Sequence, residues 1–370
     1  MYPRMIHSLV LGPISVGMLK RLDKQTRSAV KRWLKLPMKD TPVGLIHAGF
    51  TDGGLGVPSF RTSIPRMRKR RVERLKTCRE PSVRSVWTSA GANRYRSTPG
   101  MRVAGGDLVA TRQDELKYWK DRLRSTIDGA GTEGLEETPE VNRWVGSGTT
   151  FLTGRSYIRS VMLRGCQALM PARTARWSGR RVPFCDAGCR VSATLNHVVQ
   201  ACPRTHAPRI DRHDRLNSRL AKWFERKGAK VQQESRIVTA SGLRIPDLVV
   251  HTGVASWVID TSIITDAGVE AMRRARVDKI AKYDVPEIRA TVERTRRQLG
   301  FPTGAVLFDA VILSWRGALL GASATVLRRL GLTASQLELM SVIVLEETWK
   351  VYTWYRGSTV SADRIDREAR

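Results

Sequence analysis

The chain has 370 residues, of which 64 are Lys or Arg and 34 are Asp or Glu, a formal net charge of +30 at neutral pH. This excess, most of it arginine, favours a polyanionic partner, because each neutralised phosphate releases a condensed counterion and arginine suits bidentate phosphate contacts. Five cysteines are too few for a disulfide framework, and the apolar start at Leu9 to Ile14 is broken by Gly12 and Pro13, so a secreted or membrane-spanning protein is not expected.

The spacing predicts a helix over residues 19–36, with Leu22, Thr26, Ala29, Val30, Trp33 and Leu34 on one face, closed by Pro37. The turn Asp52-Gly53-Gly54-Leu55-Gly56 lacks the Walker lysine and the dinucleotide spacing and reads as a tight connection. Residues 66–76 form a strongly basic helix or arm, either a solvated face or a phosphate contact. Residues 81–106 have a linker composition, and a helix with Leu116, Trp119 and Leu123 follows. Residues 128–139 are a Gly- and Glu-rich break. Residues 151–181 combine helical apolar spacing with many arginines, of which Arg164, Arg173, Arg176 and Arg180 are candidates for nucleic-acid contact. Trp177 among them either stacks on a base or anchors the linker in a core.

Cys185, Cys189, His197 and Cys202 have the spacing C-x3-C-x7-H-x4-C, which suits the four N and S ligands of tetrahedral zinc. Asp186, Gly188 and Pro203 are turn formers around them. Four protein ligands leave no open position, so this zinc is expected to be structural. His206 and His213 lie nearby as less well spaced substitutes for His197.

Beyond the knuckle the pattern predicts a helix over 216–227, a strand over 229–238, a hairpin of 244–251 and 256–264 about Thr252-Gly253, a helix over 269–283 closed by Pro286, a strand over 305–315 and a helix over 337–355. This order, α-β-β-β-α-β-α, is the core layout of restriction-type nucleases. With the turn centred between Gly253 and Val254, Asp247 and Asp260 fall opposite each other on adjacent strands, about 4.5–5.5 Å apart at Cβ. Two carboxylates so placed call for a cation, and magnesium prefers their hard oxygens. The lysine that such enzymes often carry two residues after the second acid is replaced by Ser262. Lys279 and Lys282, one helical turn apart, are the substitutes, and Glu234 is a candidate third acid.

The knuckle followed by PD-x12-D and Lys279-x-x-Lys282-Tyr283 resembles the C-terminal region of non-LTR retrotransposon polyproteins of the restriction-like endonuclease class. Trp33-Leu34-x-Leu36-Pro37, His47-Ala48 and Gly53-Gly54-Leu55-Gly56 are similar to their thumb region, the segment Arg164 to Arg176 to their arginine-rich linker, and Arg212-His213-Asp214 to a further motif. The resemblance implies an α+β multidomain chain: a helical thumb-like region at 1–80, a linker at 81–181, a CCHC zinc knuckle at 182–213 and a PD-(D/E)XK-type endonuclease at 214–370. It also implies a nuclear enzyme that nicks target DNA for reverse transcription of element RNA, using structural zinc and catalytic magnesium. Asp247 and Asp260 would bind the magnesium, with Lys279 or Lys282 as the catalytic lysine. Two departures stand out. The chain contains no Asp-Asp pair of the kind a polymerase uses, so it reads as a piece without reverse transcriptase activity of its own, and Arg276 replaces a histidine that the family prefers. The alternative is an inactive, nucleic-acid-binding remnant.

Overall fold

The computed structural model describes residues 2–83, 85, 100–102, 108–148 and 152–358. The chain divides into two compact units, residues 1–49 with 54–129, and residues 50–53 with 130–370.

The first unit is helical: α1 (Tyr2–Leu11), α2 (Val16–Trp33), α3 (Val43–His47), α4 (Phe60–Lys76) and α5 (Arg112–Arg124). Two buried carboxylates organise it. Asp23 on α2 accepts hydrogen bonds from Ser59 Oγ at 2.7 Å and from the amides of Phe60 and Arg61 at 2.6 and 3.1 Å. It therefore satisfies the free N–H groups at the start of α4 and sits at the favourable end of the helix dipole. Glu115 on α5 accepts from Thr62 Oγ1 at 2.7 Å and Arg66 Nε at 3.0 Å. The basic stretch on α4 is thus mixed: Arg66 and Arg68 are buried, whereas Lys69, Arg70, Arg71, Arg74 and Lys76 are exposed. On α2 the expected apolar face is also corrected. Leu19, Asp23, Val30 and Lys31 are buried, while Trp33 is 74% exposed at the end of the helix. Lys31 is held inward by donating to Met38 O at 2.9 Å. The predicted loop at 81–106 lies almost wholly outside the described residues.

In the second unit, α6 (Gly154–Arg164), α7 (Pro171–Trp177) and α8 (Leu195–Gln200) lead into the long helix α9 (His206–Arg226). The strands follow: β1 (Lys230–Gln233), β2 (Ile237–Thr239), β3 (Gly242–Arg244), β4 (Leu248–His251) and β5 (Ala255–Ile264). Helices α10 (Val269–Tyr283) and α11 (Pro286–Gln298) precede β6 (Ala305–Ser314), and α12 (Gly321–Arg329) and α13 (Ala334–Gly357) close the described chain. The main sheet has the order β1-β4-β5-β6, antiparallel except for the parallel β5–β6 pair. Leu248, Val250 and Ile259 pack with Leu216, Leu220 and Phe224 of α9 and Leu337 and Val344 of α13. The opposite faces, through Val249, Val258 and Val306, pack with Tyr283, Ile288 and Val292 of α10 and α11. All four residues of β4 are buried, as expected of a strand covered on both sides.

The expected strands at 229–238 and 244–251 each divide in two. Glu234 has left-handed backbone (φ 51°) and separates β1 from β2. Pro246, which has no N–H to give a ladder, lies between β3 and β4. Strands β2 and β3 pair only with each other, as a separate hairpin. Pro286 does not merely end α10. It opens α11, where its missing N–H costs nothing. Helices α11 and α12 are therefore additions to the expected order. The boundary expected at residue 213 falls inside α9.

Candidate metal centres and basic surface

The knuckle is a short turn pinned by a Phe184–Ser192 bridge, with Gly188 and Arg190 in left-handed backbone. Thr194 caps α8 by accepting from the His197 amide at 3.2 Å, and Leu195, Val198 and Val199 anchor that helix in the interior. This aims His197 at the cysteines. The ligand atoms of Cys185, Cys189, His197 and Cys202 all lie within 4.8 Å of one another, with Sγ of Cys202 at 3.7 Å from that of Cys185 and 4.0 Å from that of Cys189. Thiolates at 2.3 Å on a tetrahedral zinc would be about 3.8 Å apart, so the cluster fits the ion. His197 Nε2 is buried with no hydrogen-bond partner among the described residues, as a nitrogen reserved for a metal would be. Tyr355 OH lies 3.5 Å from Cys185 Sγ and supports that ligand from outside. Burial pushes the Cys202 thiol up to about 12 and raises that of Cys189, so zinc binding would have to expel thiol protons. His206 is exposed and outside the cluster.

His213 is also outside it, and its place is the main feature that the sequence reading missed. Its Nε2 lies 3.1 Å from Asp247 Oδ2 and 3.1 Å from Thr261 O. The hydrogen bond to the Asp247 carboxylate, with that residue's charge, outweighs burial and pushes the His213 imidazole up to about 9. Asp247 Oδ2 also accepts from the Thr261 amide at 2.6 Å. The β4–β5 register pairs Leu248 with Ile259 and Val249 with Val258. Extending it by one residue sets Asp247 opposite Asp260, as expected.

Asp260 is buried, and its carboxyl is raised first by burial and then by the charge of Asp247. Lys279 Nζ lies 2.7 Å from its Oδ2. Lys282 points elsewhere: it donates to Tyr283 OH at 3.0 Å and lies over that ring. Tyr283 OH in turn donates to Ile245 O at 3.0 Å, tying α10 to the chain just before Asp247. Asp247, Asp260 and Lys279 thus come together, while Lys282 is engaged with Tyr283. The exposed Glu234 meets Asp247 through its backbone, its amide donating to Asp247 O at 3.0 Å. Arg276 grips Asp309 with two hydrogen bonds of 2.8 and 2.6 Å.

The candidate arginines separate clearly. Arg164 is only 2% exposed; it donates to Asn142 Oδ1 at 2.8 Å and lies over the Trp144 ring. Arg173 is buried and donates to Cys166 O and Gln167 Oε1. Both are removed from the nucleic-acid-facing set, because their guanidinium groups are consumed in holding the linker together. Arg180 is exposed. The side chains of Arg176 and Trp177 lie outside those described.

No protein-family profile matches the chain. Among curated proteins, it is 34% identical over 331 residues to the Retrovirus-related Pol polyprotein from type-2 retrotransposable element R2DM of Drosophila melanogaster, covering 87% of this chain and 30% of that protein. It is 30% identical over 372 residues to the Pol polyprotein from type-1 retrotransposable element R2 of Nasonia vitripennis (98% of this chain, 34% of that protein). A Pol polyprotein of the same kind from Popillia japonica is 31% identical over 330 residues, 89% of this chain and 66% of that protein. An α+β chain with a cysteine–histidine cluster, matching these proteins over most of its length, belongs to the non-LTR retrotransposon Pol polyproteins. Its particular relatives are those of the R2 elements, and it spans about a third of the length of the first two. No helix of the described residues is long and apolar enough to cross a membrane.

Proposed function

We propose that the chain is a magnesium-dependent DNA endonuclease unit of a retrotransposon polyprotein, with a restriction-endonuclease-like sheet. The observation that carries this reading is Lys279 Nζ 2.7 Å from the buried Asp260, with Asp247 next to it across the strand pair. Hard carboxylate oxygens at the end of a hairpin suit magnesium, which when bound would polarise the scissile phosphate and lower the pKa of a coordinated water. The chain's own residues would divide the remaining work. Thr261 N–H and His213 would fix the Asp247 carboxylate through one oxygen, Oδ2. Lys279 would lend positive charge to the phosphate as it becomes pentavalent. Zinc would be held by Cys185, Cys189, His197 and Cys202 in a purely structural role. The substrate would be target DNA, with element RNA as a second partner, and the site of action the nucleus.

The test is nicking of supercoiled plasmid in magnesium. Asp247→Ala and Asp260→Ala are expected to abolish nicking while leaving salt-sensitive DNA binding nearly intact, because neither substitution removes a cation that could hold phosphate. Equal nicking by the wild type and both variants, with contaminating nuclease excluded, would overturn the assignment. A second reading, a non-catalytic nucleic-acid-binding unit, is favoured by Arg276, which fills the position of a family histidine and is engaged with Asp309. It predicts binding without nicking in the wild type as well.

A further inference from the structure

Beside the carboxylate pair stands an element to which nothing above assigns a task. The β2–β3 hairpin is paired Ile237 with Arg244, Val238 with Leu243 and Thr239 with Gly242, around a tight Ala240-Ser241 tip. Its inner face is firmly mounted. Ile237 is buried among Val249, Tyr283, Ile288 and Val292. The Ala240 amide donates to Glu287 Oε1 of α11 at 2.8 Å, and Thr239 Oγ1 donates to Gly242 O at 2.7 Å. Gly242 turns the chain with φ 106°, a conformation that suits glycine. The outer face is the reverse. Val238 is 78% exposed and Leu243, directly opposite it, 46%.

Two cross-strand apolar side chains on a rigid, solvent-facing ridge have no folding role. The ridge is flanked by exposed Arg236, two residues before Val238, whereas Arg244, paired with Ile237, belongs to the inner face and donates to Ser241 Oγ at 3.0 Å. It is also continuous with the carboxylate site: Leu243 precedes Asp247 by four residues, and the intervening Ile245 carbonyl is the one held by Tyr283 OH at 3.0 Å.

Resting on the endonuclease reading, we propose that the β2–β3 hairpin is a DNA wedge. Val238 and Leu243 press from the minor groove between two base pairs beside the scissile phosphate, and Arg236 binds a flanking phosphate. Apolar side chains inserted in this way unstack a step and kink the duplex, at a cost recovered in contact with the protein. The kink would open the backbone toward Asp247 and Asp260. The occupant is duplex DNA and not a protein groove partner, because the ridge is narrow, bears the exposed Arg236 and adjoins carboxylates suited to a phosphodiester.

The test uses the full chain with zinc, in calcium to suppress cutting, and a short duplex carrying 2-aminopurine opposite thymine at several steps. Wild-type protein is expected to raise the fluorescence by unstacking, and Asp260→Ala to raise it equally. The double variant Val238→Thr, Leu243→Thr keeps strand-forming side chains and is expected to lose the rise while retaining zinc content and melting temperature. In magnesium, the double variant should nick intact duplex at least ten times more slowly than wild type and recover on duplex with a mismatch at the cut. A fluorescence rise undiminished in the double variant, or absent from wild type bound to DNA, overturns the wedge. Because unstacking is read without cutting, absence of nicking in wild type would overturn the endonuclease reading alone.

Discussion

Asp260 and Asp247 have unequal surroundings, and this decides which lysine matters. Asp247 is served by a backbone amide and an imidazole, whereas Asp260 is buried with one ammonium, that of Lys279. Lys279→Ala is therefore expected to lower nicking by about 100-fold or more, the usual scale for losing one charge-stabilising group. Lys282→Ala should have a much smaller effect, because Lys282 spends its charge on the Tyr283 ring and hydroxyl. Plasmid nicking rates for the two variants decide the matter, and a larger loss for Lys282→Ala would reverse the assignment. A second carboxyl makes a pH prediction. Glu338 is buried on α13, its Oε1 has no hydrogen-bond partner among the described residues, and burial raises its pKa against the weaker pull of Arg143. A carboxyl raised in the folded state stabilises the fold fully below its unfolded pKa, and that contribution is lost as pH rises to the folded value. Glu338→Gln should therefore melt higher than wild type at neutral pH and near wild type at about pH 4, where both side chains are neutral. An equal melting difference at both values would contradict this.

At the scale of elements, the period-2 and helical patterns located the β4–β5 hairpin, its centre, and helix α10 from Val269 to Tyr283. The two strands are buried on both faces of the sheet, whereas α10 buries only Val269, Met272 and Tyr283. The pattern failed where one residue serves two neighbours. In the sequence Pro286 reads as a stop, yet it starts α11 with Glu287 in its first turn. His213 was legible as part of a motif but not as a neighbour of Asp247, because 34 residues of helix and strand must fold before Nε2 reaches the carboxylate. Arg164 reads as a candidate nucleic-acid contact because composition alone cannot distinguish a solvated guanidinium from one laid over Trp144. Close approach of elements is equally silent in composition. Gly44 on α3 lies against the backbone of α5, where an added Cβ would come within 2.5 Å of Leu123 N. Gly44→Ala should destabilise the first unit by roughly 1–3 kcal/mol, as overpacking does. A calorimetric transition of that unit left unshifted would show that α3 yields more easily than its packing implies.

At the scale of the molecule, the knuckle and the sheet are joined by specific side chains. Gln200 Nε2 donates to Ile263 O at 3.0 Å at the end of β5, and Trp315 Nε1 donates to Asn196 Oδ1 at 2.8 Å at the end of β6. Purified protein should contain one zinc per chain, and its removal by a chelator should lower the melting temperature of the second unit and speed amide exchange near Ile263. A metal-free protein with the same melting curve would refute this coupling. Helix α9 extends the connection. It begins four residues after Cys202, carries His213 to Asp247, and ends with Trp223 and Phe224 in the main core. A straight helix transmits phase as well as distance, each residue turning its face by about 100°. The knuckle is thus no exchangeable cassette. A graft from a relative, joined one residue out of step ahead of His213, would swing that imidazole away from its carboxylate, while a junction made in whole turns would keep it aimed.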